Sequence, residues 1–345
     1  MSKRRRLAYV TGATGFVGSH LAERLVKEGF RVRALVLEDE DASFLEALGV
    51  ACVRGDLRDS AAELRTGLEG VTHVFHCAAW VADLAVREQM AEVNVSGLRN
   101  LLEATRGIDL VRFVFLGSIV VYGDRDQVDI DESFPFSKTG DSYNYTKIES
   151  ERVLGAFVRE TGLPAVILRP SYIYGPRDTR LFPSLIDAVR AGEWVYLSGG
   201  RLPIALSYVG HVVDACVLAA ARDEAVGEGF IITDGESITR RELTELVCDA
   251  LRLRRPRASV PRGVGKALCP FGDCMRALFR RQKPYFINRF LYHFAGAHLT
   301  FDISKARKLL GYAPKRPMRE LLLDTVQWFR ENRPELLPDN GKDAT

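Results

Sequence analysis

The stretch that most constrains this chain is Thr11-Gly12-Ala13-Thr14-Gly15-Phe16-Val17-Gly18. It follows Leu7-Ala8-Tyr9-Val10, a short apolar run of the kind a buried parallel strand shows. It opens into Ser19 to Gly29, where Leu21, Leu25 and Val26 recur at helical spacing and Gly29 marks the stop. Three glycines at a helix start weaken a purely structural junction, so the geometry must need them. Gly12 allows a tight turn, Gly15 lets the backbone approach a bound pyrophosphate, and Gly18 lets helix and strand pack closely. The N–H groups of the first helical turn then face the phosphates. The spacing is G-x-x-G-x-x-G, and the flanking strand and helix supply the context that gives it weight.

The rest of the first half alternates in the same way. Strands are expected at 31–37, 51–57, 71–79 and 111–118, with helices at 41–49, 61–68, 86–106 and 141–159 between or after them. Such alternation predicts a parallel sheet with right-handed crossovers, and ligands collect at the carboxyl ends of its strands. Three of those ends carry unusual residues: Asp56-Leu57, Ala78-Ala79 and Ser118. Asp56 and Leu57 are placed to touch an adenine, although taken alone Asp56 reads better as a helix N-cap or turn acid. Ala78 and Ala79 are small enough for a cofactor to lie against the backbone. Glu38 to Asp41 follow the second strand with four negative charges, which would repel a ribose 2′-phosphate and tilt the choice towards NAD without excluding NADP.

At 345 residues the chain exceeds one compact core and suggests a second lobe. Its net charge of +3 gives no general attraction to nucleic acid. No apolar run approaches the roughly 20 residues of a membrane span. The basic N-terminus leads into the first strand without the apolar region of a signal peptide. The six cysteines form no C-x-x-C pair and no metal-like spacing. They read as reduced thiols of a cytoplasmic protein without a metal site.

Tyr143 and Lys147 share one helix face, one turn apart. A free tyrosine has a pKa of about 10, and a neighbouring ammonium favours the phenolate. A tyrosine lowered in this way exchanges a proton with a substrate hydroxyl while a nicotinamide exchanges a hydride. Ser118, at a strand end, is placed to hold the same substrate oxygen. On spacing alone, an ordinary amphipathic surface is the better reading of Tyr143 and Lys147.

Taken together, the chain resembles the extended branch of the short-chain dehydrogenase/reductase family. The matching segments are residues 11–21, Asp56-Leu57, His76-Cys77-Ala78-Ala79, Val93-Asn94-Val95-Ser96-Gly97, Ser118 to Gly123, Tyr143-x-x-x-Lys147 and Arg169 to Pro176. Within that family, Tyr208 to Ala215, Lys283 to Arg289 and Phe301 to Ala306 are similar to 3β-hydroxysteroid dehydrogenase-like proteins. The resemblance implies Ser118, Tyr143 and Lys147 as the catalytic set, with Tyr143 transferring the proton and Lys147 also binding the nicotinamide ribose. It implies cofactor contacts from Gly12, Thr14, Gly15, Phe16, Val17, Gly18, Asp56, Leu57, Ala78, Ala79 and Asn94, and places Pro170 and Ile173 beside the nicotinamide. It also implies a homodimer formed through helices 86–106 and 141–159.

Two departures concern the substrate. Nucleotide-sugar epimerases and dehydratases carry an asparagine where this chain has Tyr172. His211 stands where the steroid enzymes often have asparagine. The first departure, with the 3β-hydroxysteroid dehydrogenase-like segments, implies a small-molecule apolar substrate, a sterol, steroid or 3-hydroxy/3-oxo acid; the second bears on how that substrate is contacted. The alternatives are a nucleotide-sugar epimerase or dehydratase and a non-catalytic dinucleotide-binding sensor.

The expected architecture is α/β. A Rossmann-type doubly wound parallel sheet spans 1–170, and a smaller α+β substrate lobe spans most of 171–335, with some segments returning to the sheet. Residues 336–345 form a frayed tail. Residues 252–283 hold ten Lys/Arg against one acid, Asp273. With Val264, Leu268, Phe271, Met275, Leu278 and Phe279, this segment reads either as a lid that also makes peripheral contact with an anionic membrane, or as a solvated basic face.

Overall fold

A computed structural model of the chain describes residues 6–81, 87–269 and 296–336. The elements follow the expected alternation: β1 (Leu7–Thr11), α1 (Phe16–Lys27), β2 (Arg31–Val36), α2 (Ser43–Ala47), β3 (Ala51–Arg54), α3 (Ala61–Gly67) and β4 (His73–His76). Next come α4 (Arg87–Ala91), α5 (Gly97–Ala104), β5 (Arg112–Leu116), β6 (Gln127–Ile130), α6 (Ser142–Thr161), β7 (Ala165–Pro170) and β8 (Tyr172–Tyr174). The second half adds α7 (Leu181–Arg190), β9 (Tyr196–Leu197), β10 (Pro203–Tyr208), α8 (Val209–Ala221), β11 (Gly229–Ile232), β12 (Ser237–Thr239), α9 (Arg240–Leu251), β13 (Ser259–Val260) and β14 (Leu299–Phe301). A last helix spans Met318–Asn332.

Seven strands form one sheet in the order β11-β7-β5-β4-β1-β2-β3, and every pairing is parallel. The order reverses between β1 and β4, which opens the crevice where a doubly wound sheet takes its ligand. The central strands are buried because helices cover both faces; β1, β4 and β5 are buried at every residue, His73, His76 and Arg112 included. One core cluster packs α1 and α8 against one face of the sheet, and another packs α3, α5 and α6 against the other.

A third cluster lies apart from the sheet. It combines Phe182, Leu185 and Ile186 of α7, Ile204 and Leu206 of β10, Leu243 and Val247 of α9, and Leu322, Val326 and Phe329 of the last helix. Here β8, β10 and β12 make a small sheet. Two segments return from this half to the Rossmann sheet: β11 extends its edge and α8 packs against α1.

Helix 86–106 is not regular along its expected length. Between α4 and α5 the backbone makes a π-type turn over Glu92–Ser96. Such turns insert a residue and swing side chains out of helical register, often at functional sites. The residue swung inward is Asn94, which is 4% exposed. Helix α6 begins where an N-cap allows: the Asp141 carboxylate accepts from the Asn144 N–H at 2.9 Å.

Candidate active site

The glycine turn has little room for side chains. Gly12 has φ +69°, and a Cβ there would lie 2.7 Å from the Cα and N of Ala78 at the end of β4. A Cβ on Gly18 would come within 2.0 Å of the Gly12 carbonyl oxygen, so helix and turn meet backbone to backbone. Gly15 differs from both. It is exposed, and a Cβ there would meet only the Gly12 oxygen at 3.2 Å. Gly15 is also the N-cap of α1 and offers no side-chain cap, leaving the first N–H groups of a twelve-residue helix for an anion. Thr14, Phe16 and Val17 are half-buried around this opening. This cradle fits the pyrophosphate of a dinucleotide.

The strand ends beside it are tied down by polar contacts. The Thr11 hydroxyl lies 2.8 Å from His76 Nδ1. Burial holds the His76 pKa down to about 3, so the ring is neutral at physiological pH. Asn94 clamps the segment after β4: its Oδ1 accepts from Trp80 N–H at 2.7 Å, and its Nδ2 donates to the Trp80 carbonyl at 3.0 Å and to Thr146 Oγ1 at 3.2 Å. The Ser150 hydroxyl donates to the Asn94 carbonyl at 2.9 Å. Asn94 thus fixes Ala78 and Ala79 relative to α6 through hydrogen bonds.

Asp56 makes a local pair at the end of β3. Its carboxylate takes Arg58 in an ion pair at 2.5 Å and accepts the Arg58 N–H at 2.9 Å, which lowers its pKa. Leu57 is buried, and its carbonyl accepts from Asn100. After β2 the acids shape their own turn: Glu40 accepts from Leu37 N–H, and Asp41 accepts from Ser43 N–H. Arg54 donates to the Leu37 and Glu40 carbonyls, leaving one guanidinium among four acids. Pro170 ends β7 and is buried, while Ile173 on β8 is half-buried.

Ser118, Tyr143 and Lys147 come together at the carboxyl edge of β5. Ser118 is the N-cap of a short 3₁₀ turn and shares a hydrogen bond with the Tyr143 hydroxyl. Lys147 Nζ donates to the Leu116 carbonyl at 2.8 Å and lies 5.7 Å from the centre of the Tyr143 ring. Asn144, between them on α6, donates to the Val120 and Ser137 carbonyls and so holds the Ser118 turn against the helix.

The electrostatics differ from the expectation. The Tyr143 phenol is pushed up to about 12, chiefly by burial, with the Ser118 hydrogen bond and the Arg180 guanidinium pulling the other way. Lys147 is itself pushed down to about 8 by burial, against support from Glu151. Desolvation therefore outweighs the tuning of the phenol that the sequence suggested. Two further residues of the site were not singled out from the sequence: Thr146, which links Asn94 to the Tyr143 carbonyl, and Glu151. The signal for Glu151 was its place four residues after Lys147, on the same helix face.

Known proteins are similar to this chain over nearly its whole length. A ketoreductase of Stigmatella aurantiaca, acting on 4-hydroxy-2-methyl-3-oxo-4-farnesyl-3,4-dihydroquinoline-1-oxide by its name, is 31% identical over 88% of this chain and 91% of its own. The human decarboxylating sterol-4-alpha-carboxylate 3-dehydrogenase is 29% identical over 94% of this chain and 88% of its own. The dTDP-glucose 4,6-dehydratase DesIV of Streptomyces venezuelae, solved with NAD bound, superposes with a TM-score of 0.77 at 25% identity, covering 95% of this chain and 98% of that one. Residues 8–233 match the NAD dependent epimerase/dehydratase family, and the chain belongs to that family.

Proposed function

We propose that this protein is an NAD-dependent oxidoreductase of hydroxy or oxo groups on a bulky apolar substrate, with Tyr143 exchanging the proton. The observation that carries this reading is the convergence of Ser118, Tyr143 and Lys147 at the strand edge beside the Gly12–Gly18 cradle. Gly12, Gly15 and Gly18 with the start of α1 would hold the pyrophosphate, and Ala78, Ala79, Lys147, Pro170 and Ile173 would surround the nicotinamide riboside. When bound, the dinucleotide supplies the hydride donor or acceptor. In the reducing direction Ser118 holds the carbonyl oxygen and the Tyr143 hydroxyl donates its proton to it. In the oxidising direction the proton moves from the substrate hydroxyl to the Tyr143 phenolate. Lys147, charged, stabilises that phenolate.

The protonation states favour reduction at neutral pH. A phenol at about 12 retains its proton there, and a lysine at about 8 retains its charge. Reduction is therefore expected to hold steady at neutral pH and to fall above about pH 8 as Lys147 loses its proton. Oxidation, which needs the phenolate, is expected to gain from alkaline pH until the same loss sets in. Rates followed in both directions across the neutral and alkaline range check the sign.

The substrate class rests on the names of the relatives, a farnesylated quinoline and sterols, and on Tyr172 at the place where sugar-nucleotide enzymes carry asparagine. The test is a screen of 3-oxosteroids, 4-carboxysterols, 3-oxo acids and sugar nucleotides, read at the reduced-nicotinamide absorbance with NADH and NADPH. Turnover confined to sugar nucleotides would overturn the substrate class.

The reading includes a cytoplasmic homodimer built on α4, α5 and α6, which lie side by side. It also includes peripheral contact with anionic lipid through the basic segment. Among the described residues no helix is long and apolar enough to cross a membrane. On helix 262–269, Val264 and Leu268 are exposed one turn apart on one face, which supports surface contact; residues 270–283 of that segment lie outside the described residues. Sedimentation equilibrium and co-sedimentation with phosphatidylserine vesicles at low salt check the two; a monomer and no pelleting would remove them.

A further inference from the structure

Beneath the crevice lies a buried ion pair that the proton transfer itself does not use. The Glu151 carboxylate takes Arg169 side-on: Nε to Oε1 at 3.0 Å and Nη2 to Oε2 at 2.7 Å. The two side chains are only 3% and 8% exposed. The other guanidinium nitrogen, Nη1, donates to the Tyr122 hydroxyl at 3.0 Å. The carboxylate also reaches the strand end that carries Ser118. A Cβ on Gly117 would come within 2.9 Å of Glu151 Oε1 and 3.2 Å of the Leu168 carbonyl, so a side chain there would push against the carboxylate. On either side of Gly117, Leu116 accepts from Lys147 and Ser118 bonds Tyr143. One carboxylate thus touches the segment that orients both polar partners of the phenol.

The charge balance around Lys147 gives this carboxylate a second consequence. Burial disfavours a charged ammonium, and a nearby anion favours it. Lys147 is faced on its own helix by Tyr143 and Glu151, and from the end of β4 by His76 and Cys77. From β5 it is faced by the Leu116 carbonyl and, at 5.3 Å, by the Phe115 ring. From β7 Arg169 acts through Glu151, and Tyr122 lies behind Arg169. His76 is neutral, and burial pushes the Cys77 thiol up to about 12, so it too is neutral. Glu151 is the anion in this set.

We infer that Glu151, held by Arg169, is a positioning residue that keeps Lys147 charged and fixes the Gly117–Ser118 strand end beneath the reacting oxygen. This rests on the roles given above to Tyr143 and Lys147. Arg169 has the opposite electrostatic effect, since it takes up part of the carboxylate's negative potential. The two partners should therefore move Lys147 in opposite directions, which a purely structural ion pair would not do.

The test is direct titration of Lys147 in the full-length protein carrying ¹³Cε-labelled lysine, followed by NMR and assigned with Lys147→Met. The wild-type midpoint is expected near 8. In Glu151→Gln it should fall by about one pH unit or more, and in Arg169→Met it should rise. Thermal melting establishes which variants are folded at the titration temperature, and either folded variant decides the matter alone. A Lys147 midpoint that stays at the wild-type value in a folded Glu151→Gln or Arg169→Met protein overturns the inference. The titration needs no substrate, so its failure is separate from a failure of the catalytic reading, which Tyr143→Phe tests.

Discussion

Glu151 and Asp234 are both buried carboxylates, yet they occupy different settings. Glu151 is matched by a fixed guanidinium and stands one turn from Lys147. Asp234 accepts from the Tyr174 hydroxyl at 2.9 Å and the Tyr208 N–H at 2.8 Å, and lies 2.8 Å from His211 Nδ1. Those three partners come from β8, β10 and α8, so Asp234 ties the small β8-β10-β12 sheet to α8, which packs on the Rossmann half. The first carboxylate can alter a protonation equilibrium at the site, whereas the second fastens two parts of the fold. Burial of a carboxylate alone does not mark catalytic involvement; Glu151 differs from Asp234 in standing on the helix that carries Tyr143 and Lys147.

The largest expected effect separates the two settings through Lys147. Lys147→Met should lower turnover by about 10²–10⁴-fold, the range typical of losing support for proton transfer, with little change in melting temperature. Asp234→Ala should do the reverse. Leaving the Tyr174 hydroxyl and Tyr208 N–H without their buried acceptor should cost about 3 kcal/mol in urea unfolding, while the Lys147 midpoint stays in place. A shift of that midpoint in Asp234→Ala would erase the distinction between the two carboxylates. Gly18→Ala comes next: its Cβ would meet the Gly12 oxygen at 2.0 Å, so about 1–3 kcal/mol of stability and much of the NAD affinity should be lost, read by melting and by calorimetric titration. The smallest effect concerns the cofactor. The acids at 38–41 should give NAD a lower KM than NADP, and Glu40→Gln should narrow that preference.

Much of the nucleotide half was legible in the sequence because its demands are local. A strand, three glycines and a helix in succession leave few alternatives, and apolar strands alternating with amphipathic helices imply a parallel sheet. Less could be read at the site. That Tyr143 and Lys147 share a face follows from helical periodicity, but the balance of burial against charge depends on what β4, β5 and β7 place around them. The phenol is accordingly raised, contrary to expectation. The π-type turn that brings Asn94 inward has no periodic signal, because it interrupts the period. Glu151 finds Arg169 eighteen residues later through strand order, and no spacing rule connects them. The Asp56 pair, by contrast, is local: its partner Arg58 stands two residues on.

The most direct measurement compares wild type with Tyr143→Phe, using NAD binding by calorimetry and turnover of the best apolar ketone at the reduced-nicotinamide absorbance. Removal of one hydroxyl should leave binding within a few-fold and reduce turnover by about 10²–10⁴-fold. Near-normal turnover in the phenylalanine variant would contradict the account, because some other group would then be delivering the proton.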